Sequence, residues 1–438
     1  MKPVRVGILG LGTVGGGTLT VLQRNAVEIA RRAGRNIVPV VAAVRDVARA
    51  REKFTDASVR IIDDPFVVVR NPDVDIVVEA MGGETLAREL IFAAIAAGKH
   101  VVTANKALVA KHGTEIFAAA QQKGVTVAFE AAVGGGIPII KAIREGLTAN
   151  RIEWIAGIIN GTTNFILTQM RDQGASFADA LQLAQEKGYA EADPTFDVEG
   201  IDAAHKLTIL SALAFGIPMQ FDKAHIEGVS QLTRDDVRYA EQLGYRIKLL
   251  GMTRRTSAGI ELRVHPALIP AKRLIANVDG SMNAILVKGD AVGVTLYYGA
   301  GAGSEPTASS IVADLVDVTR MHTADPHHRV PHLAFQPENL SAEPILPMGE
   351  VRTRYYLRLP AKDETGVLAE VTRILADAGI SIEAMVQQES AAGNGLVDIV
   401  MLTHQCLEKH IDTAIAAIGC LPALVGDVAR IRLESLAG

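Results

Sequence analysis

The sequence predicts an α/β protein with three domains: an N-terminal domain with a doubly wound parallel sheet, a central α+β domain and a small C-terminal domain. Three observations support this prediction. The chain opens on a strand, a glycine-rich turn and a helix, and strands alternate with helices between about 149 and 296. A tail from about 351 has its own strand-helix-strand rhythm and follows a connector rich in His, Pro and Ala. These patterns are typical of layered α/β and α+β folds.

Composition limits the classes of partner. The chain has 438 residues, 49% hydrophobic and 21% charged, which is the balance of a globular protein of two or three domains. Its net charge of -5 contains no long run of one sign, so we expect small molecules rather than nucleic acid or a membrane as partners. The N-terminus has no secretory pattern, and Cys406 and Cys420 lack a metal or redox context. We therefore expect a cytoplasmic protein whose reduced cysteines pack as small hydrophobes.

The first element pair carries a phosphate-binding pattern. An apolar strand at 4–9 leads into GLGTVG, and a helical pattern follows over about 16–30. The glycines of GxGxxG allow close approach of a pyrophosphate, which the helix N-terminus attracts. This order predicts a Rossmann-type domain that binds a dinucleotide through Gly10, Gly12, Thr13, Val14 and Gly15. The alternative is a glycine-rich turn without a ligand.

The second strand, at 38–44, ends at Arg45 and Asp46. An acidic residue at this point binds the ribose diol of NAD, whereas a guanidinium can pair with the 2'-phosphate of NADP. Because Arg45 comes first, NADP is favoured and NAD stays possible. The alternative is that Arg45 is a solvated loop charge.

Further parallel strands are predicted at 75–79 and 100–103, with a helix at 86–97 between them. Thr103 ends the second of these strands and Lys106 follows it, where the carboxyl ends of parallel strands deliver residues to a ligand crevice. We expect both to contact cofactor, with Lys106 also near the substrate. As a plain lysine at a helix start, Lys106 would need no function.

A glycine-rich turn follows the next predicted strand, 125–130. The sequence AAVGGGIPII requires unusual backbone angles, and exposed carbonyls in such a turn can coordinate a hard monovalent cation. A tight hinge between domains without an ion explains the same residues. Downstream, a strand at 152–159 precedes the turn Asn160-Gly161-Thr162-Thr163-Asn164. Within it, Gly161-Thr162-Thr163 offer donors that suit a carboxylate, and a helix N-cap explains the same residues about as well.

The segment from Ala184 to Lys206 is unusually acidic. Gly188 and Asp193-Pro194 break the backbone into a loop, and a helix is predicted over 201–215. Asp202 and Lys206 then lie four residues apart on one helical face. Together with Glu191 and Asp197 on the preceding loop, Asp202 and Lys206 could bind a small zwitterion and leave one group free for proton transfer. A surface salt bridge between Asp202 and Lys206 is the ordinary alternative.

The same segment resembles the homoserine dehydrogenase signature. The matching positions are Ala184, Gly188, Asp193-Pro194, Asp197, Gly200, Asp202 and Lys206, and the resemblance extends to the N-terminal cofactor motif and the central segment. It implies an oxidoreductase that interconverts L-homoserine and L-aspartate 4-semialdehyde with NADP or NAD, in threonine, methionine and isoleucine biosynthesis.

The resemblance also implies roles for individual residues. Lys206 is expected to stabilise and protonate the substrate oxygen, with Lys106 beside it. Glu191 is expected to hold the substrate amino group, and Asp197 to support the loop or the lysine. A free lysine has a pKa of about 10.4, which Asp202 would raise further, so Asp202 is expected to bind substrate rather than activate Lys206.

Three more features follow from the resemblance. Glu130, Val133, Gly135 and Ile137 are expected to hold a monovalent cation, Na+. Gly188 and Gly303 are expected to contact the cofactor. A helix at 304–320 is expected to return to the cofactor domain, although its glycine-rich entrance is also consistent with a linker.

The tail resembles an ACT domain, a ferredoxin-like fold that senses small ligands. Its turn Asp363-Glu364-Thr365-Gly366 is the usual ligand position, and threonine is the effector suggested by the pathway. A dimerisation module without an effector is the alternative. The expected domains are 1–130 for cofactor, 131–303 for substrate and dimerisation, 321–350 as linker and 351–438 for regulation, in a homodimer or homotetramer.

One interpretation from a different class is a catalytically silent amino-acid sensor with a vestigial cofactor fold. The intact set of Glu191, Asp202 and Lys206 argues against it, because a protein that only binds ligands has no need of a proton-transfer group.

Overall fold

The computed structural model describes residues 2–322, 325, 329–389 and 395–436. They form two compact units, each discontinuous in sequence. Unit 1 comprises Met1–Ile155, His205–Asp222 and Met282–Glu343; unit 2 comprises Ala156–Ala204, Lys223–Ser281 and Pro344–Gly438. Parts of the predicted linker, at 323, 324 and 326–328, and of the predicted regulatory domain, at 390–394, 437 and 438, lie outside the described residues.

The secondary structure alternates along most of the chain. The strands are β1 (Val4–Leu9), β2 (Ile37–Ala43), β3 (Arg60–Ile62), β4 (Ile76–Glu79), β5 (His100–Thr103), β6 (Val127–Ala128), β7 (Ile152–Ile158), β8 (His225–Ile226), β9 (Tyr245–Arg255), β10 (Ile260–Pro270), β11 (Met282–Gly289), β12 (Gly293–Ala300), β13 (Arg352–Lys362), β14 (Ile382–Glu389), β15 (Leu396–Thr403), β16 (Cys406–Leu407) and β17 (Ala429–Leu433). The helices are α1 (Thr13–Arg24), α2 (Ala26–Ala33), α3 (Val47–Lys53), α4 (Pro65–Arg70), α5 (Thr85–Ala96), α6 (Lys106–Gln122), α7 (Ile139–Lys141), α8 (Gly161–Gln173), α9 (Phe177–Glu186), α10 (Thr195–Val198), α11 (Ile201–Phe215), α12 (Arg234–Gln242), α13 (Ser304–Met321), α14 (Val367–Asp377) and α15 (Glu408–Gly419).

Unit 1 is organised around a parallel sheet of six strands in the order β3-β2-β1-β4-β5-β6. Its inner strands are apolar on both faces, as expected for a sheet covered by helices on both sides. Helix α13 contributes Ile311 and Leu315 to the same apolar cluster as Val6 and Ile8. The helix predicted at 304–320 therefore packs into the core of the parallel-sheet unit.

Two predicted elements of unit 1 differ from the structure. The single helix predicted over 16–30 is two helices, α1 and α2, because Asn25 leaves helical geometry at φ -107°, ψ 18°. Asparagine favours such helix ends, where its side chain competes with the helix for backbone groups. The strand predicted over 125–130 is only two residues long, because the backbone N–H of Glu130 donates to Asp314 Oδ2 at 2.8 Å instead of extending the sheet.

Unit 2 contains six strands in the order β9-β10-β17-β13-β15-β14, with β8 beside β10 and β16 beside β13. Strands β9 and β10 pair antiparallel over eleven residues. The C-terminal part runs β13-α14-β14-β15-α15-β17 and encloses its own apolar core, which includes Tyr355, Leu357 and Ile411. Its edge strand β17 pairs parallel with β10, at Ala267 with Arg432 and Leu268 with Leu433.

These features confirm the predicted α/β class, with a Rossmann-type sheet and a ferredoxin-like C-terminal module. The two cysteines behave differently from each other. Cys406 is buried in the C-terminal core, as expected, whereas Cys420 is exposed at the end of α15. No described helix combines the length and apolar character needed to cross a membrane.

Candidate active site

The three glycines of the first turn have three different physical roles. Gly10 adopts φ +91°, a conformation that side chains disfavour, and a Cβ there would lie 2.9 Å from Ala80 O. A Cβ on Gly15 would lie 1.9 Å from Gly10 O, so helix α1 approaches the strand end more closely than alanine permits. A Cβ on Gly12 would meet no atom within 4 Å. The space above Gly12 is thus open for a ligand to approach the backbone.

The start of α1 lies beside the start of α13. Gly12 is the N-cap of α1 and provides no side-chain cap, so the first N–H groups, including those of Thr13 and Val14, lack a local acceptor of that kind. Ser304 Oγ donates to Thr13 O at 2.8 Å. Gly303, the residue before Ser304, has φ +130° and is the N-cap of α13. Gly303 is therefore adjacent in sequence to a residue that touches the glycine turn.

The end of β2 is followed by two exposed charged residues, Arg45 and Asp46. The carboxylate of Asp46 accepts a hydrogen bond from Arg49 N at 3.0 Å and so caps α3. The two side chains thus differ in that the carboxylate of Asp46 is engaged by the helix that follows it.

The ends of β4 and β5 are joined by a carboxylate that the sequence analysis did not select. Glu79 is fully buried and accepts the hydroxyl hydrogen of Thr103 at 2.7 Å, together with the backbone N–H groups of Met81 and Gly82. Asn105 caps α6 and donates to Gly83 O at 2.6 Å. The signal for Glu79 was an acid at a strand end followed by two glycines. Together these bonds fix the start of α6, whose first residue is Lys106.

The turn after β6 is built on backbone groups. Gly134 and Gly135 have φ of +75° and +54°, and Ser310 Oγ donates to Gly135 O at 2.6 Å. Val133 and Ile137 are buried on either side of the glycines. Across the described ranges, no cluster of three or more His, Cys, Asp or Glu side chains could hold a metal ion. Carbonyl oxygens are accordingly the ligands that this turn can offer.

The Glu130 carboxylate lies at the base of that turn. It accepts the N–H groups of Ile140 and Lys141, both at 2.9 Å. Burial, followed by the charge of Asp314, raises the pKa of Glu130 to about 7. Burial likewise raises the pKa of Asp314 to about 6. Burial is thus the main reason that both carboxyl groups resist ionisation, and for Glu130 the charge of Asp314 adds to it.

In unit 2, Asn160 joins two carboxylates of the acidic segment. Its Nδ2 donates to Asp197 Oδ1 at 2.7 Å and to Asp202 Oδ2 at 2.9 Å. Its Oδ1 accepts from Thr163 N at 2.8 Å, so Asn160 is also the N-cap of α8. Thr162 Oγ1 contacts Asp197 at 3.3 Å. The helix-cap role considered for this turn is therefore present, and Asn160, the residue that provides the cap, also holds two carboxylates of the protein itself.

The other predicted residues of the acidic segment differ in burial. Gly188 and Glu191 are exposed on the loop after α9, and Gly188 has φ +73°. Asp202 is 3% exposed and Lys206 is 8% exposed, and they are four residues apart in α11. A surface salt bridge needs exposed partners, so the burial of both side chains argues against that interpretation.

Comparisons with known proteins agree with this arrangement. The profile described as "Homoserine dehydrogenase, NAD binding domain" matches residues 10–130, that described as "Homoserine dehydrogenase" matches 138–316, and the ACT domain profile matches 355–419. A curated homoserine dehydrogenase from Pseudomonas aeruginosa is 64% identical over 436 residues, 100% of each chain. One from Bacillus subtilis is 38% identical and covers 99% of each.

Solved structures give the same result. A homoserine dehydrogenase from Thiobacillus denitrificans is 70% identical with a TM-score of 0.95, covering 100% of this chain and 99% of the other. One from S. aureus is 30% identical with a TM-score of 0.77, covering 100% of both.

Fold and site together define an oxidoreductase that uses a nicotinamide dinucleotide. Full-length identity of 64% then specifies the family: the chain belongs to the homoserine dehydrogenases, with a C-terminal ACT domain. The predicted activity, interconversion of homoserine and aspartate 4-semialdehyde, is confirmed at this level.

Proposed function

We propose that the chain oxidises and re-forms homoserine with Lys206 as the proton-transfer residue and Asp202, Asp197 and Glu191 as the substrate-binding acids. The bridge from Asn160 to Asp197 and Asp202 is the observation that carries this proposal. A pair of carboxylates, the buried Asp202 and the half-buried Asp197, oriented by one amide, suits the ammonium group of an amino-acid substrate. Asp197 would thus contribute to substrate binding in two ways, through its own charge and by holding the loop on which it lies.

The bound nicotinamide supplies or accepts the hydride. The protein has to orient the substrate and to move one proton at its oxygen. In the reducing direction, the Lys206 ammonium stabilises negative charge on the aldehyde oxygen and then protonates it; in the oxidising direction, its amine accepts the hydroxyl proton. Lys106 adds a second positive charge, which would favour the neutral form of Lys206 that the oxidation requires.

For the cofactor, we favour NADP. Asp46 is engaged in capping α3, whereas Arg45 is exposed and can pair with a 2'-phosphate. The glycine turn with Thr13 and Val14 would bind the pyrophosphate. The remaining proposed contacts are Thr103, Lys106, Gly188 and Gly303.

A monovalent cation, Na+ as the first candidate, would be held by carbonyl oxygens of Glu130, Val133, Gly135 and Ile137. Oxygen donors on a tight glycine turn suit a hard cation. Burial raises the pKa values of the Glu130 and Asp314 carboxyls, and a positive charge nearby would favour their ionised forms. A cation bound there would supply a positive charge that stabilises the conformation of the glycine turn.

For the C-terminal domain, we propose an amino-acid effector, with threonine to be tested first, at the turn that ends at Gly366. Gly366 has φ +96° and precedes α14 without a side-chain cap, which leaves N–H groups for a carboxylate. We further propose that the cofactor domain ends at residue 130, the substrate domain at 303 and the linker at 350. The protein would form a homodimer or homotetramer and lie in the cytoplasm.

The test is homoserine oxidation by wild type, Lys206→Ala and a control, Lys111→Ala, each with NADP and NAD. Lys111 is on α6 and pairs with Glu84 at 2.7 Å near the surface. Loss of Lys206 should lower kcat about 10²- to 10⁴-fold, the usual contribution of a general acid or base, with cofactor affinity intact. Near-normal kcat would move the role to Lys106. Absence of wild-type turnover with both cofactors would support the silent sensor.

A further inference from the structure

The chain that follows β8 rests directly on the backbone next to Asp197. Val229 N donates to Val198 O at 2.8 Å. A Cβ on Gly228 would lie 2.6 Å from Val198 O and 2.6 Å from Glu199 Cα, and the Glu199 carboxylate would lie closer still, so the backbone at Gly228 packs directly against the backbone at Val198 and Glu199. Because packed backbones have no soft side chain to absorb movement, a shift of Gly228 displaces the residue after Asp197.

Glu227, next to Gly228, is held by a residue of the C-terminal domain. Its carboxylate accepts from Arg432 Nη1 at 2.6 Å, with His225 Nε2 at 3.4 Å. Burial would raise the pKa of Glu227, but the hydrogen bond with His225 and the charge of Arg432 outweigh burial and hold this pKa well below its usual range. Glu227 is thus a charged partner of Arg432 at neutral pH.

Arg432 continues the connection into the core of the C-terminal domain. It is fully buried on β17, and its Nε donates to Glu408 Oε2 at 3.0 Å. Tyr355 OH donates to the same carboxylate at 2.6 Å, and Tyr355 belongs to the apolar core of that domain. One buried guanidinium therefore bridges a carboxylate of the C-terminal domain and a carboxylate beside the substrate segment.

Such buried ion pairs add little net stability compared with apolar packing, but they demand a defined geometry. From this arrangement we propose that Glu227 is a positioning residue: held by Arg432, it sets the place of Val198–Gly200 and so the orientation of Asp197 and Asp202. Substrate affinity then depends on how the C-terminal domain is seated on β10. The inference rests on the proposed substrate role of Asp197 and Asp202.

The experiment uses full-length Glu227→Gln, which keeps the shape of the side chain and removes its charge. The matched control is Glu261→Gln, because Glu261 pairs at 2.8 Å with a different buried arginine, Arg263. We expect the KM for homoserine to rise about tenfold in Glu227→Gln, as loss of a charge-assisted bond implies, with kcat within about threefold. The KM for the cofactor should stay unchanged, and the control should keep the wild-type KM for homoserine.

Arg432→Lys provides a second variant, since a lysine cannot bridge both carboxylates as a guanidinium does. If the two residues act as one connection, the double variant should raise the KM no further than the larger single effect. Independent, additive effects, or an unchanged KM in a folded Glu227→Gln or Arg432→Lys, would overturn the inference. An Asn160 variant with normal KM would instead remove the proposed substrate role of the two aspartates, so the two failures are distinguishable.

Discussion

The side-chain amide of Asn160 donates a 2.9 Å hydrogen bond to the buried carboxylate of Asp202. The same nitrogen donates to Asp197, and the amide oxygen caps α8. One residue therefore orients both acids and begins a helix. A buried carboxylate that loses such a donor is left poorly solvated, which is costly.

We expect Asn160→Ser to raise the KM for homoserine about tenfold, because serine can still cap α8 but is too short to bridge both carboxylates. Asn160→Ala should show the same KM effect and lose about 1 kcal/mol more of unfolding free energy, through loss of the cap. Steady-state kinetics and urea unfolding measure the two effects separately. Equal KM values in wild type and Asn160→Ser would contradict the substrate role.

The glycine turn allows a matched pair of substitutions. Gly12→Ala should lose no more than about 1 kcal/mol of stability, because alanine is a poorer N-cap than glycine but its Cβ meets no atom, yet it should weaken cofactor binding where the ligand approaches. Gly15→Ala should cost about 1 to 3 kcal/mol of stability, because its Cβ would overlap Gly10 O. Thermal unfolding and cofactor titration distinguish these results; normal cofactor affinity in Gly12→Ala would place the pyrophosphate elsewhere.

Cofactor preference depends on Arg45 in our proposal. Arg45→Ala should raise the KM for NADP about tenfold and leave that for NAD unchanged, since the 2'-phosphate is the group that distinguishes them. Arg49→Ala is the control, because Arg49 is also exposed and lies on the same helix start. A parallel loss with both cofactors would show that Arg45 acts on the dinucleotide generally.

The pH dependence of stability should report on His100. This side chain is buried and accepts the N–H of Thr126 at 2.9 Å, and burial, then the charges of Arg329 and His322, lower the pKa of His100 to about 4. An unfolded histidine binds its proton near pH 6.5, so between pH 6.5 and 4 the unfolded state binds more protons and the free energy of unfolding falls as pH falls.

We expect His100→Gln to remove about 1 to 3 kcal/mol of the fall in the free energy of unfolding between pH 6.5 and 4. Urea unfolding across this pH range measures the effect. His410→Gln is the control, since His410 is exposed on α15. An unchanged pH slope in His100→Gln would mean that His100 is protonated in the folded protein.

Much of the cofactor domain could be predicted because its signals are local. The GLGTVG turn needs glycine at Gly10 and Gly15 for reasons of backbone geometry, and an apolar strand and a helix flank it. Glu79 was missed, since its bond to Thr103 joins two strands 24 residues apart. Long-range side-chain partners leave no periodic trace in the sequence.

The acidic segment shows the same division. Its residues could be selected from the family signature, and the helix at 201–215 was predicted with its observed limits. Asn160 was considered only as part of a cap or carboxylate-binding turn, because a sequence does not show that one amide reaches acids 37 and 42 positions later. The burial of Lys206 could not be predicted either, since a polar residue on a helix can face solvent or core.

By itself, the sequence determined the α/β class, the glycine turn after the first strand, the family and the activity, because these depend on local backbone chemistry and on fixed spacings. The tertiary structure decided which side chains meet: Asn160 with Asp197 and Asp202, Glu79 with Thr103, and Glu227 with Arg432 across 205 positions. Such contacts form only when distant strands pair and bury their polar groups together, and each buried group must then find a partner.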